Sequence, residues 1–172
     1  MTNAIPDAIA PYFVQVGYVV RDLEAAESWF EQTLGVPTPF RMENVTFGAD
    51  CSYRGRPYDA AVHISLGYLG ETQVELIQPV RGDSIYTEFL EQKGPGLHHL
   101  GFDVPDFAAS LDALRKSGLE LVAQGQMGPG NEFAYFDCGA HGTSLIEILG
   151  FDEAMHGFMN QLKQTSSDAA RK

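Results

Sequence analysis

The chain has 172 residues, is 44% hydrophobic and 20% charged, and carries a net charge of −12, which fits one domain or two small modules sharing a core. That acid excess excludes a nucleic-acid binder, which needs clustered Lys and Arg to displace counterions, and it repels anionic membrane surfaces. No apolar run approaches the roughly 20 residues needed to span a bilayer, and the two cysteines, Cys51 and Cys138, form no CxxC pair, so neither a disulfide framework nor a thiolate zinc site is expected.

Residues 1 to 11 hold Pro6 and Pro11 and lack a basic n-region; they read as a loose lead-in without a cleaved signal, and a cytoplasmic location is expected. Phe13 to Val20 reads as a strand. Asp22 is placed to cap the helix LEAAESWFEQTL, whose Leu23, Ala26, Trp29, Phe30 and Leu34 fall on one face, and Gly35 stops it. The stretch 36–60, with Pro37, Pro39, Gly48, Gly55 and Pro57, gives no clear strands. Ala61–Leu69 and Thr72–Pro79 form a hairpin about Gly70-Glu71, with His63, Ser65 and Gly67 on what is taken as its inward face.

Asp83 or Ser84 caps a short linking helix, IYTEFLEQK, closed by Lys93 and Gly94. Leu97–Val104 is the next strand, Asp106 caps the helix that runs to Gly118, and Leu119–Ala123 is a short strand. The glycine-rich GQMGPGNEF, 125–133, reads as a flexible lid or a plain connection. Phe133–Cys138 and Thr143–Leu149 make a second hairpin about residues 139–142. Asp152 caps a last helix with Met155, Phe158, Met159 and Leu162 at i, i+3, i+4, i+7, and that stripe is expected on the sheet exterior or against a second subunit. Residues 165–172 should fray.

An internal repeat overrides these local signals. QVGYVVRD at 15–22 and HLGFDVPD at 99–106 match at an offset of 84. Val74-Glu75-Leu76 and Ile146-Glu147-Ile148 repeat as well, each an apolar strand with a carboxylate in the middle. The repeat therefore singles out Gln15, Glu75, His99 and Glu147, two residues per copy. Strand alternation puts Gln15 with Gly17, and His99 with Gly101, on one face, where the glycines leave room for something bulky. One amide oxygen, one imidazole and two carboxylates make a mostly hard donor set, suited to Zn, Co, Ni, Mn or Mg. Without a cation, buried Glu75 and Glu147 would carry uncompensated charge. His98, next to His99, should point to the opposite face and pack between sheet and helix. His141 and His156 are expected at the surface, and Cys138 as a small core residue.

The four segments, from QVGYVVRDLEAAESWFEQTLG through ETQVELIQP and GLHHLGFDVPD to TSLIEIL, agree in order and spacing over residues 13–150. They resemble the vicinal oxygen chelate superfamily, also called the glyoxalase/bleomycin-resistance fold. The resemblance implies an α+β fold of two paired βαβββ modules, about 12–80 and 95–150. These would make one curved, cup-shaped mixed sheet with helices outside, joined by helix 84–93 and followed by a C-terminal helix and tail, 151–172. It places one divalent metal in the cup, held by Gln15, Glu75, His99 and Glu147.

Within the superfamily, TQVELIQP, a short helix and then GxGLHHL is similar to methylmalonyl-CoA epimerase. The expected reaction is a proton transfer through an enolate on an acyl thioester or related carbonyl acid, with a small-molecule substrate and a homodimer. Glu147 looks like the ligand that doubles as base, and His63 is the nearest candidate for the second acid or base an epimerase requires. A glyoxalase I-type lyase is the alternative, although the places of its glutathione-anchoring Arg and Asn hold Val19 and Pro79. A metal-free binding protein of the bleomycin-resistance type is a third reading, which an intact quartet opposes. Gln15 departs from the epimerase pattern, where His is more frequent. The acidic composition offers no clear clamp for coenzyme A phosphates, for which Arg41, Arg54, Arg56 and Arg81 could cluster.

Overall fold

A computed structural model describes residues 4–139 and 145–171, with side chains from Asp7 onward. The expected turn at 139–142, with His141 and the start of the final strand at Thr143, lies largely outside the described residues. One ten-stranded mixed sheet runs β2-β5-β6-β1-β7-β10-β9-β8-β3-β4. Its strands are β1 (Phe13–Val19), β2 (Phe40–Thr46), β3 (Ser52–Tyr53), β4 (Arg56–Pro57), β5 (Ala61–Leu69), β6 (Thr72–Arg81), β7 (Gly96–Asp103), β8 (Glu120–Gln126), β9 (Asn131–Asp137) and β10 (Leu145–Phe151). The helices are α1 (Ala4–Ile9), α2 (Leu23–Leu34), α3 (Ile85–Lys93), α4 (Phe107–Lys116) and α5 (Glu153–Ala169). None is long and apolar enough to cross a membrane.

The repeat is visible in the pairing. β1 lies parallel to β6, β7 lies parallel to β10, and β1 meets β7 antiparallel at the centre. The half sheets β2-β5-β6-β1 and β8-β9-β10-β7 thus mirror each other across the β1–β7 seam. The starts of α2, α3, α4 and α5 are each fixed by a short polar side chain taking a free N–H of the first turn. Asp22 accepts from Ala25 at 3.0 Å, Asp106 from Ala109 at 2.9 Å, Asp152 from Met155 at 2.8 Å, and Ser84, not Asp83, from Thr87 at 3.0 Å.

Two helices cover the convex face, as expected. Leu23 and Phe30 of α2 pack on Val74 and Leu76, whereas Trp29 and Leu34, expected on the same face, stay exposed at the edge of that stripe, and Leu114 of α4 packs on Ala134, Phe136 and Ile148. Helices α3 and α5 differ. Ile85 of α3 and Leu162 of α5 join the concave cluster with Val62, Ile64, Leu66, Ile77, Phe133, Tyr135 and Leu149. The apolar stripe of α5 is therefore neither on the sheet exterior nor left for a second subunit; it roofs the cup. Phe158 meets Phe40 edge-on at 5.0 Å, while His156–Asp103 at 2.6 Å and Lys163–Glu71 pin its polar side. The helix persists to Ala169 with Ser166 fully buried, so residues 165–169 do not fray.

Three further expectations change. The lead-in is helical from Ala4, because Ile9 finds a buried place with Val104 and Leu114. Residues 36–60 contain β2, β3 and β4, and β3 leaves its own half to pair with β8 at the far edge. The glycine-rich stretch narrows to a four-residue connection, 127–130, because β8 extends to Gln126 and β9 begins at Asn131. The backbone of Met127 and Asn131 closes that hairpin at 2.8 Å, with Gly128 and Gly130 at positive φ. It is a tight turn, which removes the lid reading.

Candidate metal centre

The register at the seam places Gln15 opposite Gly101 and Gly17 opposite His99. Each glycine makes room for the donor across from it. A Cβ on Gly17 would stand 1.9 Å from His99 Cε1, and one on Gly101 would stand 2.7 Å from Gln15 Oε1. The parallel partners supply the carboxylates: Glu75 pairs with Gly17, and Glu147 with Gly101. All four side chains meet on the concave face. His99 Nε2 lies 3.0 Å from Gln15 Oε1, 3.4 Å from Glu75 Oε2 and 3.1 Å from Glu147 Oε2. The donor atoms of Glu75, His99 and Glu147 all fall within 4.8 Å of one another.

These residues fit a divalent cation. Ligands held about 2.1 Å from a metal at right angles stand about 3 Å apart, close to the separations seen from His99 Nε2. Glu147 is buried, and its Oε2 has no hydrogen bond among the described residues despite lying so near the imidazole. An orphaned buried carboxylate oxygen is costly unless something else neutralises it. Burial alone would push His99 down, but Glu147 and Glu75 outweigh it and hold the imidazole up at about 9. Burial pushes Glu75 above the usual carboxylate range. In this arrangement a proton fills the place a cation would take.

The repeat did not reveal how the donors are oriented. Gln73, two residues before Glu75 and hence on its face, accepts from Gln15 Nε2 at 2.7 Å and itself donates to the Tyr68 hydroxyl at 2.9 Å. This chain turns Gln15 Oε1 toward His99. A bulge does the corresponding work at His99. Gly17 pairs with His99 and Tyr18 with Leu97, so His98 is an extra residue in β7. His98 packs between sheet and helix as expected. It does so on the concave side, with both Tyr86 and Phe89 of α3 at 5.0 Å between ring centroids. Its Nδ1 lies 3.0 Å from His99 Nδ1, a contact that fixes which ring nitrogen of His99 faces the cluster. Burial, with His99 beside it, keeps His98 well below the usual imidazole range.

Tyr86 and Tyr135 were also missed. Their hydroxyls are 3.1 Å apart, both line the cavity with Gln15, Glu75 and Glu147, and burial raises both far above the ordinary phenol. Both stay protonated and can donate. Tyr135 was legible in principle, because it pairs directly with Glu147.

His63 is not at the site. Ile64 and Leu66 line the cavity, so alternation turns His63 to the convex face, opposite Gln78, whose side chain accepts from the first turn of α2. His63 Nδ1 accepts the Asn44 N–H at 3.0 Å. His156 is half-exposed as expected, bonded to Asp103. The arginines do not cluster either: Arg41 pairs with Glu27, Arg54 with Glu88 and Glu120, and Arg81 with Asp59.

Residues 14–136 match the family model described as "Glyoxalase/Bleomycin resistance protein/Dioxygenase superfamily". Among curated relatives, the ethylmalonyl-CoA/methylmalonyl-CoA epimerase of Cereibacter sphaeroides is 29% identical over 154 residues, 87% of this chain and 94% of that protein. The mitochondrial methylmalonyl-CoA epimerase of Mus musculus is 27% identical over 138 residues, 76% of this chain and 61% of that one. The crystal structure of methylmalonyl-CoA epimerase from Mycobacterium tuberculosis superposes with a TM-score of 0.65 at 22% identity, covering 87% of this chain and 93% of its own. With the matched model spanning most of its length, and with the paired half sheets described above, this chain belongs to the glyoxalase/bleomycin resistance protein/dioxygenase superfamily.

Proposed function

We propose that the chain is a divalent-metal-dependent isomerase or epimerase that moves a proton through an enolate on an acyl thioester or related carbonyl acid. The observation that carries this reading is the meeting of Gln15, Glu75, His99 and Glu147 around one point on the concave face of the sheet. A cation bound there would polarise a substrate carbonyl and stabilise the oxyanion that forms. Glu75 and Glu147 match the charge of such a cation, while Gln73 and His98 hold Gln15 and His99 in orientation. Glu147 Oε2, free of hydrogen bonds, is the acceptor for the proton leaving the α-carbon. Tyr135 and Tyr86 offer O–H donors to the oxygen side of the substrate. The epimerase names of the relatives support the same chemistry.

One observation favours a second reading. Apart from the quartet, no described carboxylate or imidazole lines the cavity, and His63 is on the other side of the sheet. A proton moved along one face by Glu147 alone, as in a glyoxalase I-type lyase, demands no partner, whereas inversion would draw on a phenol. Metal analysis of untreated protein followed by a solvent-deuterium screen on acyl-CoA thioesters and 2-oxo compounds tests both. About one metal per chain, with exchange that a chelator abolishes, is expected. A chain that neither holds metal nor catalyses exchange would remove the proposal.

A further inference from the structure

Every methionine except Met1 lines one chamber. Met42 comes from β2, Met127 from the β8–β9 turn, and Met155 and Met159 from α5. Phe40, Val45, Leu66 and Phe158 add most of the remaining apolar wall, Thr46, Gln126 and Asn131 are its uncharged polar side chains, and its volume is about 520 Å³, within the range that holds a drug-sized ligand. It is continuous with the metal centre, because Met42, Leu66, Met127, Asn131 and Met159 line both. No described charged side chain lines the chamber, and the only charged residues on the centre's own wall are Glu75 and Glu147.

We infer that this chamber receives an uncharged aliphatic segment of the substrate, several carbons long, attached to the oxygen-bearing head at the metal centre. The inference rests on the metal-dependent reading above. Mostly apolar walls with no charged group recognise alkyl surface and reject charge, since a buried unpaired charge is far costlier than the contacts it could make. Four unbranched, polarisable side chains on three separate elements form a surface that repacks around tails of different shape. A short head such as a two-carbon acyl unit would leave most of the volume unfilled, and voids forfeit contact energy. The scattering of Arg41, Arg54 and Arg81 into separate ion pairs agrees: no described cationic pocket adjoins the chamber to draw a phosphate inward.

The test uses full-length zinc-loaded protein and linear aliphatic hydroxamic acids, whose head chelates zinc. Binding is read from the ε-methyl signals of 13C-labelled methionine, with Met1 as internal reference. Affinity should rise about fourfold per methylene over at least four methylenes, the equivalent of about 0.8 kcal/mol for each buried CH₂. The four chamber methyls should shift and Met1 should not. Chains of equal length ending in a carboxylate or ammonium should bind no more tightly than acetohydroxamic acid. An affinity flat in chain length, or charged-ended chains as tight as alkyl ones, would overturn the inference. Failure of acetohydroxamic acid itself to bind would instead strike the metal reading. In that case n-octanol titrated into metal-free protein still decides the chamber: shifts confined to its four methyls support it, and no shift overturns it.

Discussion

Gln15, Glu75, His99 and Glu147 share one small volume, and their roles separate under single changes. On the proposed mechanism Glu147→Gln keeps an oxygen for the cation and loses the proposed base, so bound metal by elemental analysis should persist while turnover falls by about 10²-fold or more. The opposite dissociation is expected at Gly17. An alanine methyl there would stand 1.9 Å from His99 Cε1, which no flexible neighbour can relieve. Gly17→Ala should push the imidazole away from the other donors and weaken metal affinity by about 100-fold or more, with the sheet still formed by circular dichroism.

The proton in the metal-free centre gives a pH signature. His99 is held at about 9, above the ordinary 6.5 expected in an unfolded chain. The folded state thus binds that proton more tightly. This stabilisation is fully present below about pH 6.5 and is lost as pH rises through about 9. Glu75, also raised, acts in the same sense at lower pH. Chelated protein should therefore melt at progressively lower temperature between about pH 6.5 and 9, and metal-loaded protein should not, since cation replaces proton. A flat Tm for the chelated protein over that window would show that the carboxylates do not hold the imidazolium.

At the scale of elements, α5 separates what pattern could reveal from what it could not. The i, i+3, i+4, i+7 stripe fixed that a helix forms and which side is apolar. It carried no information about which face of the sheet would receive it, because periodicity marks an apolar face and not its partner. The same limit misplaced His63: alternation correctly grouped it with Ser65 on one face of β5, but choosing the inward face needed the register with β6. His98 failed for another reason, since a one-residue bulge is invisible to a period of two. Asp22, Asp106 and Asp152 were legible as caps because capping is local chemistry. Removal of residues 153–172 should uncover Phe158, Met159 and Leu162 contacts in the concave core and lower Tm by about 10 °C. That figure is the lower end of what three apolar side chains give at about 1.5–3 kcal/mol each and about 2–4 °C per kcal/mol at this size, because Phe158 and Met159 are only partly buried. An unchanged melting curve would contradict the roofing role.

For the whole molecule, the quartet was readable because the repeat places it, with each half contributing two donors. Less legible were the arms that cross between halves, since long-range pairing leaves no local trace. β3 leaves the first half to pair with β8 of the second. α5, at the end of the second half, returns to pack with β5 of the first. Each half therefore clasps the other, and the centre lies on the seam inside both clasps. The consequence is kinetic. A cation seated there would be sealed by topology as well as by affinity, since reaching it requires an arm to let go. Its removal should then follow the tempo of the protein's own opening. With rising chelator concentration, the rate of metal loss should climb to a plateau, and that plateau should rise when α5 is cut away. A rate strictly proportional to chelator throughout would mean that the seam stands open.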